Sequence, residues 1–203
     1  VENTILSAID GTLNIGKFEG DFINGFSMGH VEYIQDTTMI FSAKKISINP
    51  DLSRIVFGTI AMTEIKVSNA YYDFDKVKVT LNYLKNYQKR SLLDFGVSSL
   101  LIDEILILIK NNQYTIKAEL LLQYSDDDIY VDIRKVKLKS PAWPDTLILC
   151  SGSIHYLNNQ LFISNVNSNS EWILATINTG TINLYDFRKS TVDMKVDKFY
   201  HST

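Results

Sequence analysis

Apolar and polar residues alternate along most of this chain. In the longest run, from Tyr114 to Tyr124, every second residue is apolar and the residues between them are mostly polar. A period of two is typical of a β-strand with one apolar face. The same alternation recurs in short β-branched runs: Ile46 and Ile48; Ile65 and Val67; Val77, Val79 and Leu81; Ile129, Val131 and Ile133; Val192, Met194 and Val196. The pattern predicts a mainly β fold.

The phase of the alternation changes at several points. Ile60 and Met62, for example, give way to Ile65 and Val67. A change of phase moves apolar side chains to the other face unless a bulge takes up one residue. We therefore expect bulges or bends at these points. Within Leu100 to Ile109, odd and even positions are both apolar after Glu104, and the β-branched content of the stretch favours a strand covered on both faces.

Helical signals are few. Asn3 is placed to cap a short segment that stops at Gly11, and Asp51 to cap a single turn that ends near Gly58. The stretch 73–90 fits either periodicity, and we favour a strand that turns into a short surface helix. We thus expect one elongated β-rich domain over 1–203, with a short helical edge at 1–11 and one or two short surface helices.

The spacing of the predicted strands indicates their connections. A strand every 10 to 15 residues, with no helix between neighbours, favours an antiparallel meander over parallel βαβ units. Because helices are scarce, the apolar strand faces need another cover. A second sheet, curling of the sheet on itself, or a ligand with apolar chains would each provide it.

Composition and charge exclude several classes of protein. The chain has 203 residues, 45% hydrophobic and 21% charged, and a mean hydropathy of -0.02, which excludes disorder, collagen and a coiled coil. Twenty Lys and Arg against 23 Asp and Glu give a net charge of -3. This balance lacks the positive field that drives nucleic-acid binding, so we expect no nucleic-acid partner.

Cysteine content and the apolar runs bear on crosslinks and membranes. The single Cys150 cannot form an intramolecular disulfide, and its apolar neighbours predict a buried, inert thiol. The most apolar stretch, Leu100 to Ile109, is about half the length of a membrane span. The chain opens on Val1 without a basic leader region, which suggests an excised mature segment with any targeting information upstream.

Candidate catalytic and metal-binding groups are sparse. The Asp126 to Asp128 run offers carboxylates to a cation such as calcium, but it lacks the Gly and distal Glu of an EF-hand loop, and we favour a hairpin turn. We expect no catalytic residue, no metal and no cofactor. The histidines lie far apart without an acidic partner at motif spacing: His30, His155, His201. Three glycines are interpreted as turn residues: Gly16, Gly20, Gly25.

The first half of the chain contains a strand, a glycine-containing turn and a returning strand. The positions of this unit are Ile15, Phe18, Gly20, Gly25, Phe26, Met28 and Val31. The segments Phe41 to Ile48, Asp51 to Asn69 and Leu92 to Ile105 continue the pattern with strands and one helical turn. This arrangement resembles the opening of TamB and AsmA-like bacterial envelope proteins.

The resemblance implies a fold, a location and a kind of ligand. The fold is a curled antiparallel sheet, a β-taco or β-groove, in a periplasmic protein whose full-length form is anchored to the inner membrane. The resemblance implies that the N-terminal anchor is missing from this chain. Its concave apolar face would shield phospholipid acyl chains between the membranes, or assist outer-membrane protein assembly, without enzymatic activity. The candidate groove residues are Val77, Val79, Leu81, Ile105, Ile107, Ile109, Tyr114, Ile116, Leu120, Leu122, Ile129, Val131 and Ile133.

Two other classes of function remain open from the sequence. A self-filled β-sandwich would act as a protein-interaction or scaffold domain through an edge strand. A glycan hydrolase would use two carboxylates that face each other across a cleft.

Overall fold

The computed structural model describes residues 11–55, 60–76, 95–125, 128–143, 146–158, 160–183 and 186–199. The described chain is 82% strand and forms one curled, unclosed sheet, so the predicted mainly β, curled fold is confirmed. All eleven strands lie in chain order across this sheet. The described residues contain no second sheet, and the self-filled sandwich is therefore not the fold.

The strands are long, and most are joined by short turns. In chain order they are β1 (Thr12–Asp21), β2 (Gly25–Gln35), β3 (Thr38–Pro50), β4 (Ile60–Asp73), β5 (Phe95–Ile109), β6 (Asn112–Ser125), β7 (Asp128–Lys139), β8 (Leu147–Leu157), β9 (Gln160–Asn169), β10 (Ile173–Asn183) and β11 (Thr191–Phe199). β6 and β7 pair antiparallel up to Ser125 and Asp128, as the hairpin expected at the Asp126 to Asp128 run requires, and residues 126 and 127 lie outside the described residues.

One pair of strands departs from the predicted antiparallel order. All neighbours are antiparallel except β4 and β5, which are parallel. Residues 74–94 separate these two strands along the chain. A parallel connection needs a dozen or more residues, and this is the long connection of the sheet. The sheet is therefore mixed, with a single change of strand polarity.

A row of paired residues crosses the whole sheet. Partners in neighbouring strands lie on the same face, so the row defines one face of the sheet. Its members are Phe18, Met28, Ile46, Val67, Ile102, Ala118, Val136, Leu149, Ser168, Ala175 and Val196. All but Ser168 are apolar, and we call this side of the sheet the groove face and the opposite side the outer face.

The sheet curls toward its groove face. Val31 and Ala70 lie on that face and are only 4% and 5% exposed, although no other described element packs over them. Lys45 and Lys135, on the outer face, are exposed. Ala61 and Asp73 lie on the outer face of β4 and are buried too, but they lie beside the helical turns that follow β3 and β4. The burial of Val31 and Ala70 without such a neighbour follows when the strands bend so that side chains of the groove face cover one another.

The changes of phase in the sequence correspond to bends. In β1 to β5 two outer-face residues, instead of one, separate the row of Phe18 from the next apolar row: Gly16 and Lys17, Gly29 and His30, Lys44 and Lys45, Ser68 and Asn69, Asp103 and Glu104. We call this alignment the insertion line. An extra outer residue lengthens the outer path and bends the strand toward the groove face. In β6 only Lys117 fills this position, and the pairing of β5 with β6 shifts there.

The predicted break between Met62 and Ile65 behaves in the same way. Met62 pairs with Val97 and Ile65 with Leu100, so both strands carry two residues between the apolar positions. The predicted bulges or bends are therefore confirmed, and the apolar residues stay on one face.

The predicted helical turn after Asp51 is also confirmed, whereas its predicted end near Gly58 lies outside the described residues. Asp51 caps the helix α1 (Leu52–Ile55), its Oδ1 accepting the backbone N–H groups of Ser53 and Arg54 at 3.1 and 3.4 Å. The expected strand at Leu100 to Ile109 lies within β5. Two 3-10 turns follow β4 and β10, at Phe74–Lys76 and Phe187–Lys189. The expected helical edge at 1–11 and the stretch 77–90 lie outside the described residues, apart from position 11.

Two expectations about single residues are wrong. Cys150 is exposed rather than buried. Leu149 belongs to the groove-face row, so the next side chain points to the outer face. Gly16 lies inside β1 rather than in a turn, whereas Gly20 and Gly25, with φ of 97° and 99°, flank the turn between β1 and β2 as predicted. Among the described residues no helix is long and apolar enough to cross a membrane.

Candidate functional site: an open apolar groove

The groove face carries further apolar rows beside the row from Phe18 to Val196. On one side lies the row of Ile15, Val31, Ala43, Ala70, Ile105, Ile116, Leu138 and Leu147. On the other side lie the row of Phe26, Ile48, Ile65, Leu100, Leu120 and Ile133 and the row of Met62, Val97, Leu122, Val131, Ile154 and Ile163. These rows together define the groove, and no ionisable residue belongs to any of them.

The dimensions of the groove follow from strand geometry. The rows run across the strands, and neighbouring strands are about 4.8 Å apart. Eleven strands therefore give a groove about 48 Å long. One leaflet of a bilayer has a hydrocarbon thickness of about 15 Å, half of the bilayer core. The groove is long enough for several leaflet-length chains in line.

The structure brings most of the predicted groove residues together. Ten of them lie on the groove face of β5, β6 and β7: Ile105, Ile107, Ile109, Tyr114, Ile116, Leu120, Leu122, Ile129, Val131 and Ile133. Val77, Val79 and Leu81 lie outside the described residues. The groove also extends far beyond the predicted set, because the groove faces of β2 to β4 and β8 to β10 carry the same rows.

Aromatic side chains border one long rim of the groove. Beyond the row of Ile15 and Ile116, the strands place a further row of Leu13, Tyr33, Phe41, Tyr72, Ile107 and Tyr114. Trp143, after β7, and Trp172, after β9, continue this rim with ring centroids 5.8 Å apart, and Phe199 packs on Trp172 at 6.1 Å. Tyr and Trp rings suit a boundary between apolar surface and water.

The alternation of apolar and polar residues did not predict this aromatic rim. Trp143 and Trp172 follow strand ends, where alternation carries no information about the direction of a side chain. Only the pairing of the strands reveals that both loops lie at the same edge of the sheet.

In the described strands the ion pairs lie on the outer face. Lys66 pairs with Asp103 at 3.4 Å and Lys117 with Glu104 at 3.1 Å. Such exposed pairs contribute little to stability, but they keep the outer face wetted. The two faces therefore differ in chemistry, because the rows of the groove face contain no ionisable residue and the outer face carries the ion pairs.

The outer face also holds a histidine and carboxylate pair that the sequence analysis missed. Nε2 of His155 contacts Oδ1 of Asp128, and the His155 ring lies between the rings of Tyr130 and Phe162 at 6.3 and 5.9 Å. The partner lies in the neighbouring strand, so sequence spacing gave no signal. Among the described residues no group of three His, Cys, Asp or Glu side chains is arranged to hold a metal.

Two acids on the outer face lie close enough together to be compared with a hydrolase pair. Glu19 and Asp103 line one hollow beside the insertion line. The hydrogen bond and charge of Lys17 lower the pKa of Glu19, whereas a general acid needs a raised pKa. Asp103 accepts a hydrogen bond from Ser68 at 2.9 Å and pairs with Lys66.

No family model, curated protein or solved structure matches this chain. The similarity to TamB and AsmA-like proteins stays an expectation drawn from the sequence alone.

Proposed function

We propose that this protein is a non-enzymatic module whose groove binds the acyl chains of phospholipids or similar lipids. The observation that supports the proposal is the row from Phe18 to Val196, which crosses every strand with one polar member. Apolar surface of this extent on a soluble module is typical of a binding surface rather than of a free one.

The chemistry of the groove favours an acyl chain over a peptide. The backbone groups of the inner strands are used in pairing with their neighbours, and the rows offer one hydroxyl, that of Ser168, to a ligand. A peptide in the groove would bury backbone N–H and C=O groups without partners, which costs free energy. An acyl chain has no such groups, and each buried methylene contributes about 0.8 kcal/mol.

The open side of the groove leaves room for the polar head group of a lipid. Because the sheet does not close, a head group attached to a bound chain can stay in water. The aromatic rim with Trp143 and Trp172 would lie at the boundary between the chain and the head group. We place this activity in the bacterial periplasm, in phospholipid movement between membranes or in outer-membrane protein assembly, as the sequence resemblance implies.

The test is mass spectrometry of an organic extract of the protein purified without detergent. A control protein of similar size from the same host, purified in parallel, measures lipid carried over by chance. The expected result is lipid in stoichiometric amount in the extract of this protein alone. The protein is then stripped of lipid and incubated with a fatty acid carrying a photoreactive group at the end of its chain.

Mapping of the crosslinks locates the bound chain. The expected labels fall on groove residues such as Met28 and Leu122, with few on outer-face residues such as Gln123. Absence of lipid together with crosslinks spread over both faces would contradict the proposal.

A further inference from the structure

The two end strands of the sheet have one free edge each. Within the described residues β1 pairs only with β2, and β11 pairs only with β10. Both are exposed along their whole length, and their groove-face side chains are apolar: Phe18 is 52% exposed and Val196 45%. An unpaired edge of this kind is a template for the addition of another strand.

The directions of the end strands fit each other. Eleven strands that alternated throughout would leave β1 and β11 pointing the same way. The single parallel pair, β4 and β5, reverses this, so β1 and β11 point in opposite directions. If a second copy continues the sheet with its groove face on the same side, β11 of one copy meets β1 of the next as an antiparallel pair.

The register of such a pair is set by the rows. The row that starts at Phe18 ends at Val196, so an unbroken continuation places Val196 of one copy opposite Phe18 of the next. In this register Phe199 lies opposite Ile15. Asp197 and Lys198 separate Val196 from Phe199, as Gly16 and Lys17 separate Phe18 from Ile15. The insertion line therefore continues across the junction.

The charges of the two strands are complementary in this register. β1 carries an ion pair of Lys17 with Glu19 at 2.5 Å, and β11 one of Lys195 with Asp197 at 2.6 Å. The register places Lys17 opposite Asp197 and Glu19 opposite Lys195. Opposite charges on directly facing residues stabilise antiparallel pairs.

One pair of like charges also faces across the junction. Asp21 lies opposite Asp193 in this register. Each already has a partner of its own, because Asp21 accepts N–H groups of the turn that follows β1, and Asn178 donates to Asp193 at 3.0 Å.

We propose that copies of this chain associate head to tail, with β11 of one copy paired to β1 of the next, so that their grooves join into one longer groove. Pairing about a two-fold axis, β1 with β1 or β11 with β11, fits less well. It would also place opposite charges together, but it would set Ile15 opposite Asp21 in the β1 case and Phe199 opposite Asp193 in the β11 case. In either two-fold arrangement the two-residue insertion of one copy would no longer face the insertion of the other copy, so the insertion line would be interrupted. This association rests on the two edges and does not require lipid.

A charge swap separates the two arrangements. The double variant K195E/D197K keeps an ion pair within β11 but places like charges opposite Lys17 and Glu19 of the next copy. Under head-to-tail pairing, sedimentation velocity at low salt should show association about tenfold weaker than for the wild type. Adding K17E/E19K should restore it. Under two-fold pairing the β11 swap leaves the facing charges complementary, so association would be unchanged. Unchanged association would overturn the proposal. A wild type that stays monomeric at high concentration would overturn it as well.

Cysteine pairing tests the register directly. In a Cys150→Ser background, Phe18→Cys and Val196→Cys copies are mixed and oxidised. Facing residues lie within about 5.5 Å of each other, which is close to disulfide geometry. The expected product is a disulfide between the two kinds of copy in the mixture, and none with Val192→Cys as the partner, which is displaced by about 13 Å along the strand. Disulfide dimers of either single variant alone, at the rate of the mixture, would overturn the proposal.

Discussion

A single charge in the middle of the groove should weaken the binding of an acyl chain. Leu120 lies on the groove face of β6 and pairs with Leu100 and Ile133. Leu120→Asp places a carboxylate among apolar rows, where a bound chain would have to leave it unsolvated or bend away from it. The matched control is Gln123→Asp, since Gln123 lies on the same strand and is exposed on the outer face.

The magnitude follows from the groove geometry. A leaflet-length chain of about 15 Å spans about three strand spacings. With about fifteen methylenes at about 0.8 kcal/mol each, half covered in an open groove, binding contributes about 6 kcal/mol. A charge at one of the three spacings removes about a third of this, or about 2 kcal/mol. We expect the Kd for a chain that lies across β6 to rise about 30-fold in Leu120→Asp, whereas chains bound elsewhere along the groove keep their affinity.

The assay is a fluorescence titration of lipid-stripped protein with a labelled fatty acid. Circular dichroism and the urea midpoint of each variant establish that the sheet is intact. Gln123→Asp should bind like the wild type. Equal affinity of all three proteins, or an equal loss in both folded variants, would refute the assignment of the groove face as the binding surface.

Three further predictions concern the fold itself. Gly25→Ala should lower stability by about 1 to 2 kcal/mol in urea denaturation, because φ is 99° and a Cβ would meet the carbonyl of residue 48 at 3.2 Å; Gly96→Ala, with open space around it, should not. Burial opposes ionisation of Asp73, but its hydrogen bonds with Lys76 and Tyr71 outweigh that effect and lower its pKa. Asp73→Asn should therefore lower the urea midpoint at pH 7, and the difference from the wild type should shrink as the pH falls below 3.8. Cys150 should react with a thiol reagent in the native protein as fast as in urea; protection of the thiol would contradict its exposure.

The alternation of apolar residues was sufficient to predict the groove face of the central strands. Tyr114, Ile116, Leu120 and Leu122 share one face because side chains alternate strictly within β6. Where the phase changed, as between Met62 and Ile65, the pattern predicted an irregularity but not its form. The structure shows that neighbouring strands carry the same insertion, so the bend is a property of several strands together.

Long-range features gave no signal in the sequence. The parallel pairing of β4 with β5 depends on the path of the connection between them, which no local pattern encodes. Cys150 is exposed because Leu149 lies on the groove face and the next side chain lies on the outer face. The residues directly before Cys150 are all apolar, so no alternation indicated which of them face the groove. The contact of His155 with Asp128 joins two strands whose register cannot be read from spacing.

The stability of the sheet and its proposed function have the same physical origin. Most side chains of the apolar rows are only half-buried in the single curled layer, although some, such as Val31 and Ala70, are buried. The folded chain has therefore not used all of the hydrophobic free energy that its sequence offers. A ligand that completes the burial binds the folded state and not the unfolded one, and its binding free energy adds to the free energy of unfolding. A second copy joined at β1 or β11 covers only a strand edge and leaves the groove face open. Chain association and lipid binding therefore act on different surfaces, and both can occur on one molecule.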